Sequence, residues 1–268
     1  MVCHQRFTKS ARFRYEIRTS AVAAAAAALL AGGCGGGGGA GAVAGTTTTT
    51  EAQACVAGTF HRLGSRSVAY AAVVRSRATV LRRPGGTVLA RFGRRNPNGV
   101  PTVFSLLGER LDRACRPSLY RVQVPLRPNG VTGWVAPAEV DVATVTTRIE
   151  IDLSQRRLTL FRAGREVLRA RVAIGSPSTP TPTGRYYVNQ RLVPEDKTGP
   201  FGPGAIGISA FSNVLTGWTQ GGPVAIHGTN APWSIGRAVS NGCVRLPNRL
   251  LLRVFDAAVA GTPVIIEP

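Results

Sequence analysis

The 268 residues include only two lysines, Lys9 and Lys197, three histidines and one methionine, and 13 acids face 33 basic residues. The formal charge of +20 therefore rests almost wholly on arginine. Closed zinc sites want four Cys or His ligands at short spacings, and histidines at positions 4, 61 and 227 do not supply them. No metal and no cofactor is expected. The longest apolar run, AVAAAAAALLA at 21–31, is too short and too alanine-rich to cross roughly 30 Å of hydrocarbon, so no membrane span is read there. The stretch GGGGGAGAVAGTTTTTEAQA that follows Cys34 lacks both core-forming side chains and periodicity, which excludes a packed element and leaves a flexible tether.

What is present is glycine and proline, 32 and 18 of them, in a chain that is 44% hydrophobic and 17% charged. That balance favours β structure and loops, in one large or two small domains. Five basic residues, Arg6, Lys9, Arg12, Arg14 and Arg18, against the one acid Glu16 precede the apolar run. Basic flank plus short apolar run is the layout of a secretory signal, placed at 1–33, and it predicts export to the cell envelope. The run closes on LAGGC, which resembles a lipoprotein processing site with Cys34 acylated and anchoring the chain to the outer face of the membrane. An inert Cys34, or cleavage after Ala44 in AVAGT, is the alternative. The tether is read over 34–65.

With Cys3 in the signal and Cys34 at the processing site, Cys55, Cys115 and Cys243 remain for an oxidising compartment. Pairing Cys55 with Cys115 would leave Cys243 as a thiol, and an unused thiol in an exported protein is a liability. A Cys115 to Cys243 bond, or three reduced thiols, stay open, because connectivity cannot be read from sequence.

Two β-rich units follow, with a boundary between 142 and 147. The first, 66–142, carries short strand patterns in SVAYAAVV, ATVL and TVLARF, with a PGG turn at Pro84 to Gly86, then LYRVQVPL and VTGWVAPAEV around the turn at 128–130. These predict a small β-barrel whose glycine, Trp134 and Val135 ending resembles bacterial SH3-like modules. Trp134 is read as core, with wall binding as the alternative. The second unit, 147–268, alternates through IEIDL and RRLTLF, turns at AGR, and continues through EVLRARVAIG, RYYVN, AIGISAF and PVAIHG. PNRLLLRVFDAAVAG predicts a short C-terminal helix capped by Asn248 and stopped by Gly261, and VIIEP closes as a strand.

The segment HGTNAPWSIGRAVSNGCVR, His227 to Arg245, holds the two groups that thiol nucleophilic catalysis needs: a thiolate, and an imidazole to hold it and pass protons. His227 ends an apolar strand and precedes Gly228, where a backbone carbonyl can approach the ring and fix its tautomer. No carboxylate lies between His227 and Cys243 to do so. Gly242 permits a tight turn exposing Cys243, and the N–H groups of both residues could face a developing oxyanion. Singly, each residue has a duller reading: a buried cysteine acts as a small hydrophobe, a histidine after a strand as a satisfied polar group, and Arg245 as a solvated charge.

Jointly, HGTN…SIGxAVSxGCVR closely resembles the active-site signature of the L,D-transpeptidase (YkuD) catalytic domain. The TPTG of Thr181 to Gly184 and the glycine-rich GPFGPGAIGISAFS belong to the same likeness, which covers the chain from near Thr147 to its end. The resemblance implies Cys243 as nucleophile and His227 as proton acceptor and donor. Gly242 and Gly228 would shape the turn and oxyanion donors, and Ser240 and Asn241 would line the site. Arg245 would hold a carbonyl or carboxylate of the substrate. Asn241 departs from the family, many of whose members have His there. The implied reaction is 3→3 cross-linking of peptidoglycan peptide stems through a thioester, with release of D-Ala. Hydrolysis by water, or a non-enzymatic wall-binding lipoprotein, is the alternative. The basic charge fits acidic wall polymers and peptide carboxylates, and export argues against nucleic acid.

Overall fold

The computed structural model describes residues 56–268. The expected signal, Cys34 and Cys55 lie outside the described residues.

An antiparallel sheet opens the described chain, built from β1 (Phe60–Arg62), β2 (Ala69–Val74), β3 (Arg77–Leu81), β4 (Val88–Gly93), β5 (Val103–Leu111), β6 (Pro117–Gln123), β7 (Thr132–Val135) and β8 (Val140–Val145). Its order is β4-β3-β7-β6-β5-β2-β8, with β1 paired to β5. Alternation decides which face is buried: Ala78 and Val80 of β3 are fully buried, as are Phe104 of β5 and Val122 of β6. They form a core with Val74 and Val135. Trp134 is half-buried rather than central and meets Phe60 edge to face at 5.7 Å. Phe60–Arg62, which the sequence reading placed within the tether, pairs as a strand with Gly108–Arg110. β8 likewise carries the first unit past 142.

The second sheet contains β9 (Thr147–Asp152), β10 (Arg157–Arg162), β11 (Arg165–Arg171), β13 (Gly184–Leu192), β14 (Ala205–Phe211), β15 (Pro223–His227), β17 (Val244–Arg245) and β18 (Pro263–Glu267). Its order is β11-β10-β9-β18-β13-β14-β15-β17. A two-stranded ribbon of β12 (Ile174–Gly175) and β16 (Ala238–Ser240) runs beside it. The AGR hairpin turn stands at Ala163 and Gly164, both at positive φ, which suits the right-handed twist of the flanking strands. One helix, α1 (Asn248–Ala257), lays Leu251 and Val254 onto the core formed by Ile149, Ile206, Ile226 and Val244. The described residues are thus mainly β with a single α-helix, short and C-terminal, in line with the β-rich expectation.

Asn248 does not cap that helix. The N-cap residue is Pro247, and Asn248 Oδ1 instead accepts the Thr229 N–H at 2.7 Å. An Asn one position inside the helix is free to turn its amide toward a loop, and this one joins α1 to the segment after His227.

The two sheets pack directly. Ala71, Val103, Val145 and Ala260 form a small shared core. Asn129 exchanges two hydrogen bonds of 2.8 Å with the Phe211 backbone, and Asn96 and Asn98 both donate to Gln190 Oε1. Arg127 donates to the carbonyls of Ser212 and Gly221.

Candidate active site

The site lies where β15 ends and β17 begins. These strands run parallel, with Ile226 opposite Val244 and His227 opposite Arg245. Ile226, Val244 and Leu246 are fully buried in the core, so the alternation of strand side chains sends His227 and Arg245 to the other face. His227 is clamped on both sides: Ala205 of β14 faces it, and its carbonyl accepts the Leu246 N–H at 2.8 Å. Cys243 immediately precedes β17, is partly exposed, and is a thiol rather than half of a disulfide. Cys115 is disulfide-bonded. The Cys115 to Cys243 pairing and the all-reduced state are thereby excluded, and the other candidate partner, Cys55, lies outside the described residues.

His227 is 5% exposed. Its Nδ1 lies 2.6 Å from the Gly228 carbonyl. A carbonyl can only accept, so Nδ1 carries the proton and Nε2 is left as the base. The tautomer is set by the backbone, without a carboxylate. Phe201 packs against the ring at 4.8 Å between centroids. Burial pushes His227 down to about 4. The Gly228 carbonyl works in the opposite direction by favouring the protonated ring, and the nearby Arg245 cation adds to the lowering. The resting imidazole is therefore neutral at neutral pH. Its unprotonated Nε2 is the ring atom able to take a proton.

Gly228 has a packing reason to be glycine: a Cβ there would lie 2.4 Å from Asn248 Oδ1 and 2.8 Å from Pro203 Cδ. The glycine-rich loop at 199–204 and the start of α1 close on the residue after the histidine.

Gly242, at φ +103, takes a backbone conformation that side chains resist. Within the turn it makes, Ser240 Oγ donates to the Cys243 carbonyl at 2.5 Å and accepts the Gly242 N–H at 3.2 Å. One hydroxyl thus ties both ends of the turn, and Ser240 supports it from within, being 1% exposed. This corrects the expectation that the Gly242 N–H faces an oxyanion, since that donor is already used inside the turn. The Ser240 carbonyl accepts from the Ser176 N–H at 2.9 Å and from Thr179 Oγ1 at 3.0 Å. Thr181 Oγ1 accepts the Gly175 N–H at 2.8 Å, so the TPTG segment braces the strand ribbon that leads into the Cys243 turn. Asn241 is exposed on the outside of the turn.

Arg245 is held by two backbone bonds of 2.9 Å with Ala173. Its Nε is buried with no hydrogen-bond partner among the described residues. A buried donor left unsatisfied costs roughly 1–3 kcal/mol, which a bound carbonyl or carboxylate oxygen would relieve. Sequence reasoning missed Phe201, Thr179 and Asn248 as parts of this site. The first two sit in loops whose glycines and prolines were the only visible signal.

Comparison with known proteins adds the family. The family model of the L,D-transpeptidase catalytic domain, YkuD, matches residues 146–266. The chain is 37% identical over 125 residues to "Putative L,D-transpeptidase YkuD" of Bacillus licheniformis, covering 47% of this chain and 68% of that protein. It is 34% identical over 133 residues to the protein of the same name from Bacillus subtilis, covering 50% and 73%. Among solved structures, an L,D-transpeptidase from Mycobacterium smegmatis is 20% identical with a TM-score of 0.37, covering 62% of this chain and 90% of that one. The chain spans about half, 49%, of a mutant L,D-transpeptidase of Enterococcus faecium. The matched residues take in β9 through β17, α1 and all but the last residue of β18, with His227 and Cys243 between them, and the chain belongs to the L,D-transpeptidase family.

Proposed function

We propose that the protein is a cysteine L,D-transpeptidase that forms 3→3 cross-links in peptidoglycan. The observation that carries this reading is the neutral, backbone-oriented His227 at the end of β15, paired with the strand that the Cys243 thiol immediately precedes. In the first half-reaction Cys243 Sγ attacks the carbonyl joining the third stem residue to the terminal D-Ala, while its proton passes to His227 Nε2. The tetrahedral intermediate collapses, the C–N bond breaks, and His227 returns that proton to the departing D-Ala amine. A thioester remains. An amine from a second stem then attacks it, gives a proton to His227, and expels the sulfur, which is reprotonated. Arg245 Nε is the donor placed to hold a substrate oxygen. A neutral base suits this sequence, because every step needs an imidazole that takes a proton and gives it up again.

The signal, and with Cys34 a lipid anchor, would put this chemistry outside the cytoplasmic membrane. The N-terminal sheet would serve as an SH3-like module beside it, keeping the catalytic unit on the wall. Incubation of the full chain with tetrapeptide stems should release D-Ala and yield a cross-linked dimer. Free tripeptide without dimer would replace this reading with hydrolysis, and no released D-Ala at all would leave a wall-binding protein.

A further inference from the structure

A cavity of about 620 Å³ opens between the two sheets, away from the thiol. Phe60 and Arg62 of β1, Arg121 and Gln123 of β6, and Arg185 and Tyr186 of β13 are among its lining residues. No Asp or Glu lines it. Among the described residues none of its three arginines is in an ion pair. The Arg121 guanidinium sits 5.8 Å from the centre of the Phe60 ring, which leaves the planar edges of its fork for an incoming anion. Phe60 is 38% exposed and offers an apolar face beside those cations. Gln123 Nε2 donates to the Arg185 carbonyl at 2.9 Å, fixing the two walls of the cavity to each other. β14 and β15 separate β13 from β17, a lateral distance of roughly 14 Å at ordinary strand spacing.

We propose that this cavity binds a second peptide stem of the wall polymer through its free carboxylates, separately from the stem that reacts at Cys243. The proposal rests on the reading of peptidoglycan as the substrate. The cavity has the size of a small-molecule or short-peptide site. Guanidinium forks pair with carboxylates through two parallel hydrogen bonds, and Phe60 with Tyr186 matches the apolar alanine residues of a stem better than it matches a uniformly polar phosphodiester chain. Holding one stem there keeps others of the same strand near the thiol and raises their effective concentration.

The test uses the full chain carrying Cys243→Ala, so that nothing turns over, and calorimetric binding of soluble, uncross-linked glycan strands with tetrapeptide stems. Arg121→Gln combined with Arg185→Gln is expected to weaken binding about tenfold or more, the loss of one or two charge-assisted hydrogen bonds. Amidating the stem carboxylates should do the same to the parent, and Lys at both positions should restore part of the affinity. Both side chains are exposed, and equal melting temperatures will show that the fold is kept. Undiminished binding by the double variant, equal binding of amidated strands, or tighter binding of poly(glycerol phosphate) would each overturn the proposal. With Cys243 intact, the double variant should form thioester on an isolated tetrapeptide within about twofold of the parent rate, since that ligand needs only the thiol site. If neither protein forms a thioester, the transpeptidase reading fails while the binding contrast is still read on its own.

Discussion

Burying a neutral histidine links the stability of this protein to pH. His227 has a folded-state pKa of about 4 against 6.5 for an ordinary histidine. Between those values the unfolded chain binds a proton that the folded chain refuses, so stability rises with pH through that window. The contribution is fully present above about 6.5, drains away as pH falls, and levels off below about 4. At about 1.4 kcal/mol per unit, the gap is worth about 3 kcal/mol. Asp112, Asp152 and Asp196 are also lowered, by hydrogen bonds from the Arg116 and Gln155 backbones and from the Thr198 hydroxyl respectively. They titrate at more acid pH and are common to any variant at position 227. His227→Gln removes the proton while keeping a side-chain amide that can donate to Gly228. Urea unfolding of parent and variant at pH 7, 6, 5 and 4 should show the parent losing about 3 kcal/mol more than the variant across the series. Parallel curves would refute the argument, because they would mean that His227 protonates as readily in the folded chain as in the unfolded one.

Three further substitutions probe the turn that carries Cys243 and its support. Ser240→Ala removes the hydroxyl that joins the Cys243 carbonyl to the Gly242 N–H, and should cost about 1–3 kcal/mol of stability, with kcat falling more than KM rises. Gly242→Ala meets no atom closer than 3.5 Å but must hold a positive φ. A strain of about 1–3 kcal/mol should appear as slower acylation of Cys243 in a stopped assay, with the chain still folded. Asn248→Ala strands the Thr229 N–H and should lower the melting temperature and the acylation rate together, whereas a true helix cap would lower the melting temperature alone.

The first strands of the second unit were readable because IEIDL and RRLTLF alternate cleanly, and buried Ile149, Ile151, Leu158 and Leu160 answer to that period, whereas the short β16 and β17 were not expected. β5 was not, although it pairs with β1, β2 and β6 at once. Its VFSLLGERL is buried on both faces at the start and bulged opposite β6, so no two-residue period survives to be seen. In the site, His227 and Cys243 stood out as reactive types at the ends of glycine-flanked segments. The way each is held was hidden: a histidine's base strength depends on burial, which no local pattern encodes. Ser240 could be named as part of the site from the motif alone, but its use of the Gly242 N–H depends on a turn geometry visible only in three dimensions. Asn248 looked like a cap because cap residues are recognised by position, and the competing acceptor role arises from a loop nineteen residues earlier in the chain.

The central claim is that Cys243 acts as a nucleophile with His227 as its base, and covalent capture tests it most directly. Intact-mass spectrometry after incubation with a carbapenem or a tetrapeptide stem should show a single acyl adduct, mapped to Cys243 by peptide fragmentation. It should be absent in Cys243→Ala and strongly slowed in His227→Gln. An adduct on another residue, or equal labelling of the His227→Gln chain, would contradict the account.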